Sequence, residues 1–204
     1  MNNVERIAVL LSGRGSNFMA IARATEGGTI PARIVSVISN RPEAAGIVRA
    51  REMGLQAAVV DHRSYPDRET HEQAVLDILE AAGAELVVLA GYMRLLSPGF
   101  IARYPDRIVN IHPSLLPSFP GVDAQGQAVE HGVRISGCTV HLVEEGLDCG
   151  PIVVQRAVEV SDSDDAESLA AKILPLEHDA YVDAIRRLCG GYRVQGRRVV
   201  FRQP

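Results

Sequence analysis

The chain has 204 residues, 47% of them hydrophobic, so it can bury a substantial core and is close to the size of one ordinary domain. Its formal net charge of −4 leaves no basic excess for binding the phosphate backbone of a nucleic acid. Three widely spaced cysteines, no signal-peptide pattern and no long apolar stretch predict a cytoplasmic protein without membrane or nucleic-acid partners.

Strand-like and helix-like segments alternate along the first half of the chain. Short continuous apolar runs are typical of buried parallel strands, whereas apolar residues three to four positions apart are typical of helices. The predicted strands are 7–11, 34–39, 57–60, 86–90 and 108–111, and the predicted helices are one beginning near Ser16, one over 43–53 and one over 68–82. This alternation predicts an α/β fold with a doubly wound, mostly parallel sheet.

The last third of the chain has a different pattern, with strands joined directly by a loop. The predicted elements are antiparallel strands at 138–143 and 152–160, a helix over 161–188 that begins with Ser163 or Asp164 as its N-cap, and a small edge hairpin over 193–201. We expect a single domain whose amino-terminal half ends near residue 105 and whose carboxy-terminal half begins near residue 106.

A glycine-rich turn, Ser12–Asn17, joins the first strand to the first helix. Its two glycines permit a tight turn, and N–H groups at a helix start stabilise an anion. A dinucleotide-binding fingerprint would need a third glycine where Phe18 stands, and no Walker lysine follows. The turn is therefore typical of a phosphate cradle, with a plain turn capped by a serine as the alternative.

Asn110 and His112 lie two residues apart at the end of a predicted strand, so their side chains share one face of the sheet. The Asn110 amide can hold an oxyanion, and the His112 imidazole can donate or shuttle a proton near neutral pH. This pair suits acyl transfer, and a purely structural role in the turn is the alternative.

An acidic loop bounded by glycines follows the strand that contains His141. Asp148 in this loop would favour the charged form of His112 and orient its ring if the two side chains meet. Asp148 can equally be a turn aspartate, and His141 can be either a core histidine or a support for the site.

The segment Gly91–Leu96 follows another predicted central strand. Met93, Leu95 and Leu96 provide an apolar slot with a single arginine, Arg94, which is the balance typical of a pocket for a flat ring. Plain core packing is the alternative for such a run.

Together these motifs resemble the family of phosphoribosylglycinamide formyltransferases, folate-dependent enzymes of purine synthesis with a Rossmann-like fold. The motifs that carry the resemblance are Ser12–Asn17, Gly91–Leu96, Asn110–Pro117 and Leu147–Asp148 before Gly150–Pro151. The resemblance runs nearly end to end. It implies transfer of a formyl group from 10-formyltetrahydrofolate to the amine of glycinamide ribonucleotide, without a metal.

The resemblance also implies roles for individual residues. The implied catalytic residues are Asn110, His112 and Asp148, supported by His141. The implied substrate-binding residues are Gly15, Ser16 and Asn17 for the phosphate, assisted by Arg68, and Glu177 for the amine. The implied folate-binding residues are Met93, Arg94, Leu95, Leu96, Val143, Glu144, Glu145, Gly146 and Leu147. A homodimer is among the assemblies we expect.

The chain departs from the family at three positions: Asp123 and Gln125 stand where some relatives have histidines, and Cys149 stands where glycine is common. Three other functions stay open at this point. A methionyl-tRNA formyltransferase would need an RNA-binding domain and a basic surface. A formyltetrahydrofolate hydrolase would add an amino-terminal regulatory domain, and a phosphoribosyl-binding module would use only the glycine turn.

Overall fold

The computed structural model describes residues 5–202. The chain forms two compact units, and the boundary between Val109 and Asn110 falls within a strand. This boundary is close to the expected division between the two halves, while the assignment of the whole chain to a single domain stays a prediction.

The first unit is a parallel sheet with its strands in the order β3-β2-β1-β4. Its strands are β1 (Glu5–Leu11), β2 (Ala32–Ser39), β3 (Ala57–Val59) and β4 (Leu86–Leu89), and its helices are α1 (Ser16–Glu26), α2 (Ala45–Glu52), α3 (Arg68–Ala81) and α4 (Pro98–Arg103). Residues 7–11 of β1 are fully buried, because the strand has parallel neighbours on both edges and apolar side chains throughout.

The second unit begins within β5 (Ile108–His112), and the strands from β5 onward are ordered β5-β6-β7-β9-β8. Its other elements are α5 (Ala124–Glu130), β6 (Ile135–Leu142), β7 (Ile152–Glu159), α6 (Ala166–Cys189), β8 (Tyr192–Gln195) and β9 (Arg198–Phe201). The predicted hairpin of β6 and β7 is confirmed as antiparallel, and so is the terminal hairpin of β8 and β9. The predicted fold class, a mostly parallel α/β sheet with an antiparallel carboxy-terminal part, is confirmed.

The start of the long helix was predicted wrongly, because neither Ser163 nor Asp164 is its N-cap. Helix α6 begins at Ala166, and the Asp165 carboxylate accepts the Ser168 N–H at 2.8 Å while Ser168 Oγ accepts the Asp165 N–H at 3.0 Å. This reciprocal pair is a capping box, which satisfies two backbone donors at once. Asp164 instead accepts hydrogen bonds from Ser161 in the preceding turn.

Two short helices were not predicted. Helix α4 has the Ser97 hydroxyl as its cap and Pro98 at its first position, a start that can be recognised in sequence. Helix α5 is capped by the Asp123 side chain, which accepts the Gly126 N–H at 3.2 Å. Its sequence has too little apolar periodicity to be recognised. Helix α2 is also shorter than predicted, because Ala44 is still extended.

Candidate active site

The glycine turn of the first unit presents backbone amides without a side-chain cap. Gly15 is the N-cap of α1 with φ 74°, and Ser16 is already the first helical residue. The Met19 N–H donates to the Gly15 carbonyl at 2.9 Å, so the amides of residues 16–18 precede this bond at the positive end of the helix. The serine N-cap of the alternative is therefore wrong, and the uncapped amides are compatible with the predicted phosphate cradle, which stays a prediction.

The glycine turn packs against the start of α2, where the backbone of Gly15 contacts the backbone of Gly46. A Cβ added to Gly15 would lie 2.8 Å from the Gly46 Cα, and one added to Gly46 would lie 2.7 Å from a methyl group of Leu11. The Gly46 N–H also donates to the Gly13 carbonyl at 3.1 Å. A side chain at Gly15 would require the backbone to move, and one at Gly46 would require the buried Leu11 side chain to move, so the close contact of the two glycines shapes the turn.

Buried Ser12 connects the turn to the Gly91–Leu96 segment. Its backbone N–H donates to the Gly91 carbonyl at 3.0 Å, and its hydroxyl oxygen accepts the Met93 N–H at 2.8 Å. The same hydroxyl donates to Asn40 Oδ1 at 2.5 Å. The network fixes the backbone at Met93, whose side chain is 72% exposed, and Leu95 in the same segment is 63% exposed, so two apolar side chains of this segment are open to solvent.

Arg68 lies beside the same segment. Its guanidinium donates to Glu72 Oε1 at 3.0 Å through Nε and to the Leu95 carbonyl through Nη2. Glu72 is buried and also accepts the Ser97 N–H at 3.0 Å, so the carboxylate that holds Arg68 Nε is itself fixed. These contacts tie Arg68 to the apolar segment, and its predicted assistance in phosphate binding stays a prediction.

In the second unit, His112 and Asp148 come together as the sequence suggested. His112 Nδ1 lies 3.3 Å from Asp148 Oδ2, and both side chains are nearly buried. His112 Nε2 lies 2.8 Å from the Phe119 carbonyl oxygen, and since a carbonyl only accepts, Nε2 carries the hydrogen. The ring is thus fixed at both nitrogens, one of them facing a carboxylate.

Asp148 has a left-handed backbone conformation, with φ 50°. Its Oδ2 accepts the Gly121 N–H at 2.8 Å, and its Oδ1 lies 3.7 Å from His141 Nε2. Asp tolerates positive φ better than most residues, although the conformation still costs free energy. The carboxylate is therefore held by groups from separate segments of the chain.

His141 is 98% buried, and its Nε2 lies between Asn110 Nδ2 and Asp148 Oδ1. Its Nδ1 lies 2.9 Å from the Leu142 carbonyl oxygen, which requires an N–H on Nδ1. Its Nε2 can then accept the Asn110 Nδ2–H at 3.2 Å. Burial lowers the pKa of His141, with a smaller opposing effect from the Leu142 carbonyl, so the neutral imidazole fits this position. His141 orients the Asn110 amide rather than filling space in the core.

Cys149 leaves the Asp148 loop intact. Its thiol donates to the Glu145 carbonyl at 3.2 Å within the loop, and Asp148 still reaches His112. At the end of the loop, a Cβ on Gly150 would lie 1.8 Å from the Leu142 carbonyl oxygen, so only glycine fits there. Leu147, on the same loop, is 49% exposed.

Three further residues singled out in the sequence, Glu177, Asp123 and Gln125, lie on helices of the second unit or at a helix start. Glu177 lies on α6, close to Cys138. The pKa of the Cys138 thiol is raised to about 12, mainly because the thiol is buried and secondly because of the negative charge of Glu177. Asp123 caps α5, and Gln125 is half-buried within it. The contacts of the Phe119 carbonyl and the Gly121 amide cannot be recognised in the sequence, because backbone groups leave no signature in residue type.

No metal-binding arrangement of three or more His, Cys, Asp or Glu side chains occurs within residues 5–202. Over the same range, none of the helices has both the length and the apolar character needed to cross a bilayer.

Comparison with known proteins identifies several similar chains. The family model "Formyl transferase" matches residues 5–185. A trifunctional purine biosynthetic protein of Drosophila melanogaster is 44% identical over 92% of this chain, which spans only 14% of that relative's length. A phosphoribosylglycinamide formyltransferase of Bacillus subtilis is 40% identical over 92% of this chain and 96% of its own length. The crystal structure of a glycinamide ribonucleotide transformylase from Symbiobacterium toebii matches with a TM-score of 0.95 and 48% identity, covering 97% of this chain and 94% of the other.

The lowered pKa of His141 predicts a specific dependence of stability on pH. Above pH 6.5 the imidazole is neutral in both folded and unfolded chains, whereas below it the unfolded chain binds the proton first. The free energy of unfolding should therefore fall as the pH drops from 6.5 toward the lowered pKa. Urea denaturation should give a shallower fall for His141→Gln, and identical slopes for the two proteins would contradict the buried neutral imidazole.

Proposed function

The chain belongs to the formyl transferase family, and we propose that it transfers the formyl group of 10-formyltetrahydrofolate to the amine of glycinamide ribonucleotide. The products are formylglycinamide ribonucleotide and tetrahydrofolate, in de novo purine biosynthesis. The observation that carries this proposal is the pairing of Asp148 with His112 in the second unit, beside Asn110 oriented by His141.

Asn110 and His112 are the proposed donors to the oxyanion. The amine attacks the formyl carbon, a C–N bond forms, and the formyl oxygen becomes negatively charged. An amide nitrogen has two hydrogens, so the bond from Asn110 to His141 leaves a second hydrogen for this oxygen. The Nε2–H of His112 exchanges the Phe119 carbonyl for the same oxygen, while Nδ1 stays beside Asp148. Both donors then stabilise charge that develops only in the transition state.

Proton transfer falls to Asp148 and His112. The attacking nitrogen loses a proton, and N10 of the folate gains one as the bond between N10 and the formyl carbon breaks. The carboxylate of Asp148 lies within 3.3 Å of His112 Nδ1, so it stabilises the imidazolium and can pass a proton through the ring or through a water. The net reaction moves one proton from the amine to N10 and requires no other reactant.

The remaining residues bind the two substrates. The amides of Gly15, Ser16 and Asn17 bind the phosphate through the positive end of α1, with Arg68 assisting. Glu177 receives the amine of the substrate. The pterin contacts that the resemblance implies are Met93, Arg94, Leu95, Leu96, Val143, Glu144, Glu145, Gly146 and Leu147. The exposure of Met93, Leu95 and Leu147 supports this assignment, because apolar side chains in water favour an apolar ligand.

The proposal also includes location and assembly. An acidic net charge of −4 disfavours a nucleic-acid partner, and a role in purine synthesis is consistent with the cytoplasm. A homodimer is the assembly we propose, and sedimentation of the purified protein decides between monomer and dimer.

The direct test is a reaction with both substrates. The protein should release tetrahydrofolate from 10-formyltetrahydrofolate only when glycinamide ribonucleotide is present. Release without the amine would identify a hydrolase, and no release under either condition would favour a module that only binds a phosphoribosyl group. Either result contradicts the proposed transfer.

Removing either oxyanion donor should slow transfer without unfolding the protein. Asn110→Ala and His112→Ala should each raise the barrier by about 2.7–4 kcal/mol, measured as the loss of kcat. Gln73→Ala is a matched control, because it removes an exposed side-chain amide on α3. Near-wild-type turnover in Asn110→Ala or His112→Ala, or an equal loss in the control, would refute the assignment.

A further inference from the structure

The terminal hairpin of β8 and β9 lies outside the part of the chain that the family model matches, which ends at residue 185. The hairpin is nevertheless built into the second unit. Strand β9 pairs in parallel with β7 at Ile152 and Arg198, directly after the loop that carries Asp148. The resemblance assigns this hairpin no role, so any function has to be argued from its contacts.

One contact links the hairpin to the loop. Arg197 follows Gly196 in the two-residue turn between β8 and β9, and its Nη2 donates to the Cys149 carbonyl at 2.6 Å. A hydrogen bond from a guanidinium is charge-assisted, and the turn presents the arginine from a paired hairpin rather than from a loose tail. The acceptor belongs to the residue immediately after Asp148.

The conformation of the loop explains why such a contact matters. Asp148 is at positive φ, a conformation that Asp tolerates better than most residues but that still costs free energy, so contacts on either side of it help to maintain it. On the side-chain side, Gly121 holds the carboxylate through its N–H. On the backbone side, Arg197 holds the carbonyl of the next residue. These two contacts therefore hold two adjacent residues of the loop, one through a side chain and the other through the backbone.

The charges on the two segments are complementary. The loop contributes Glu144, Glu145 and Asp148, whereas the hairpin contributes Arg197 and Arg198 at its turn. Attraction between the segments therefore favours the closed contact over a loop displaced into solvent, although its strength is modest because Arg197 is exposed.

We propose that Arg197 is a positioning residue: it holds the loop in the conformation that directs Asp148 at His112 and presents residues 143–147 to the folate. The statement about the folate rests on the proposed function, whereas the statement that Arg197 holds the loop does not. Arg197 touches neither the substrate nor the reacting atoms, so it acts only through the Cys149 carbonyl.

The test compares Arg197→Ala with Arg193→Ala, a control that removes an exposed arginine from β8 of the same hairpin. Hydrogen exchange of the amides in residues 144–149 should be faster in Arg197→Ala and unchanged in the control. The KM for 10-formyltetrahydrofolate should rise and kcat should fall, with kcat/KM lower by about tenfold, while the KM for glycinamide ribonucleotide stays unchanged. Arg197→Lys, which retains a cationic donor, should recover part of the loss.

Several results would overturn the inference. Unchanged hydrogen exchange in Arg197→Ala would show that Arg197 does not hold the loop. Faster exchange with unchanged kcat and KM would show that the contact has no effect on the reaction. Equal losses in Arg197→Ala and Arg193→Ala would point to a general effect of charge or hairpin stability. If the wild type transfers no formyl group, the proposed function fails, yet the exchange measurement still decides whether Arg197 holds the loop.

Discussion

The carboxylate of Asp148 is held in place by the Gly121 N–H and lies beside two imidazole rings of the second unit, and the proposed chemistry of that unit depends on this arrangement. Gly121 donates its N–H to Oδ2, His112 faces the same oxygen through Nδ1, and His141 lies near Oδ1. The loop reaches this position only because Gly150 passes against the Leu142 carbonyl, where any side chain would collide. A catalytic acid–base pair here therefore depends on backbone space as much as on ionisable groups.

In the first unit, too, the proposed site depends on space around the backbone, here at the glycine turn. The proposed phosphate site consists of backbone amides at the start of α1, and the shape of the turn depends on the contact between Gly15 and Gly46. Ser12 then fixes the Met93 amide through a buried hydroxyl that Asn40 orients. Small residues thus place the backbone, and the proposed ligand surface consists of the exposed apolar side chains of Met93 and Leu95.

Much of this could be predicted from sequence because apolar runs and residue alternation report directly on buried strands. The strand alternation placed Asn110 and His112 on one face, and both side chains lie within the same cluster around Asp148 and His141. Contacts made by backbone groups could not be predicted, since the Phe119 carbonyl and the Gly121 amide depend on loop geometry rather than residue type. The capping of α6 by Asp165 was missed because several neighbouring acidic and hydroxyl residues were equally good candidates.

The most direct test of the account is the rate of formyl transfer by Asp148→Asn. The asparagine has nearly the same shape and can still accept the Gly121 N–H, but it has no charge to stabilise the His112 imidazolium. The account predicts that kcat falls by about 10²–10⁴-fold while the protein unfolds at a similar urea concentration. A kcat close to that of the wild type would contradict the role of the Asp148–His112 pair in proton transfer.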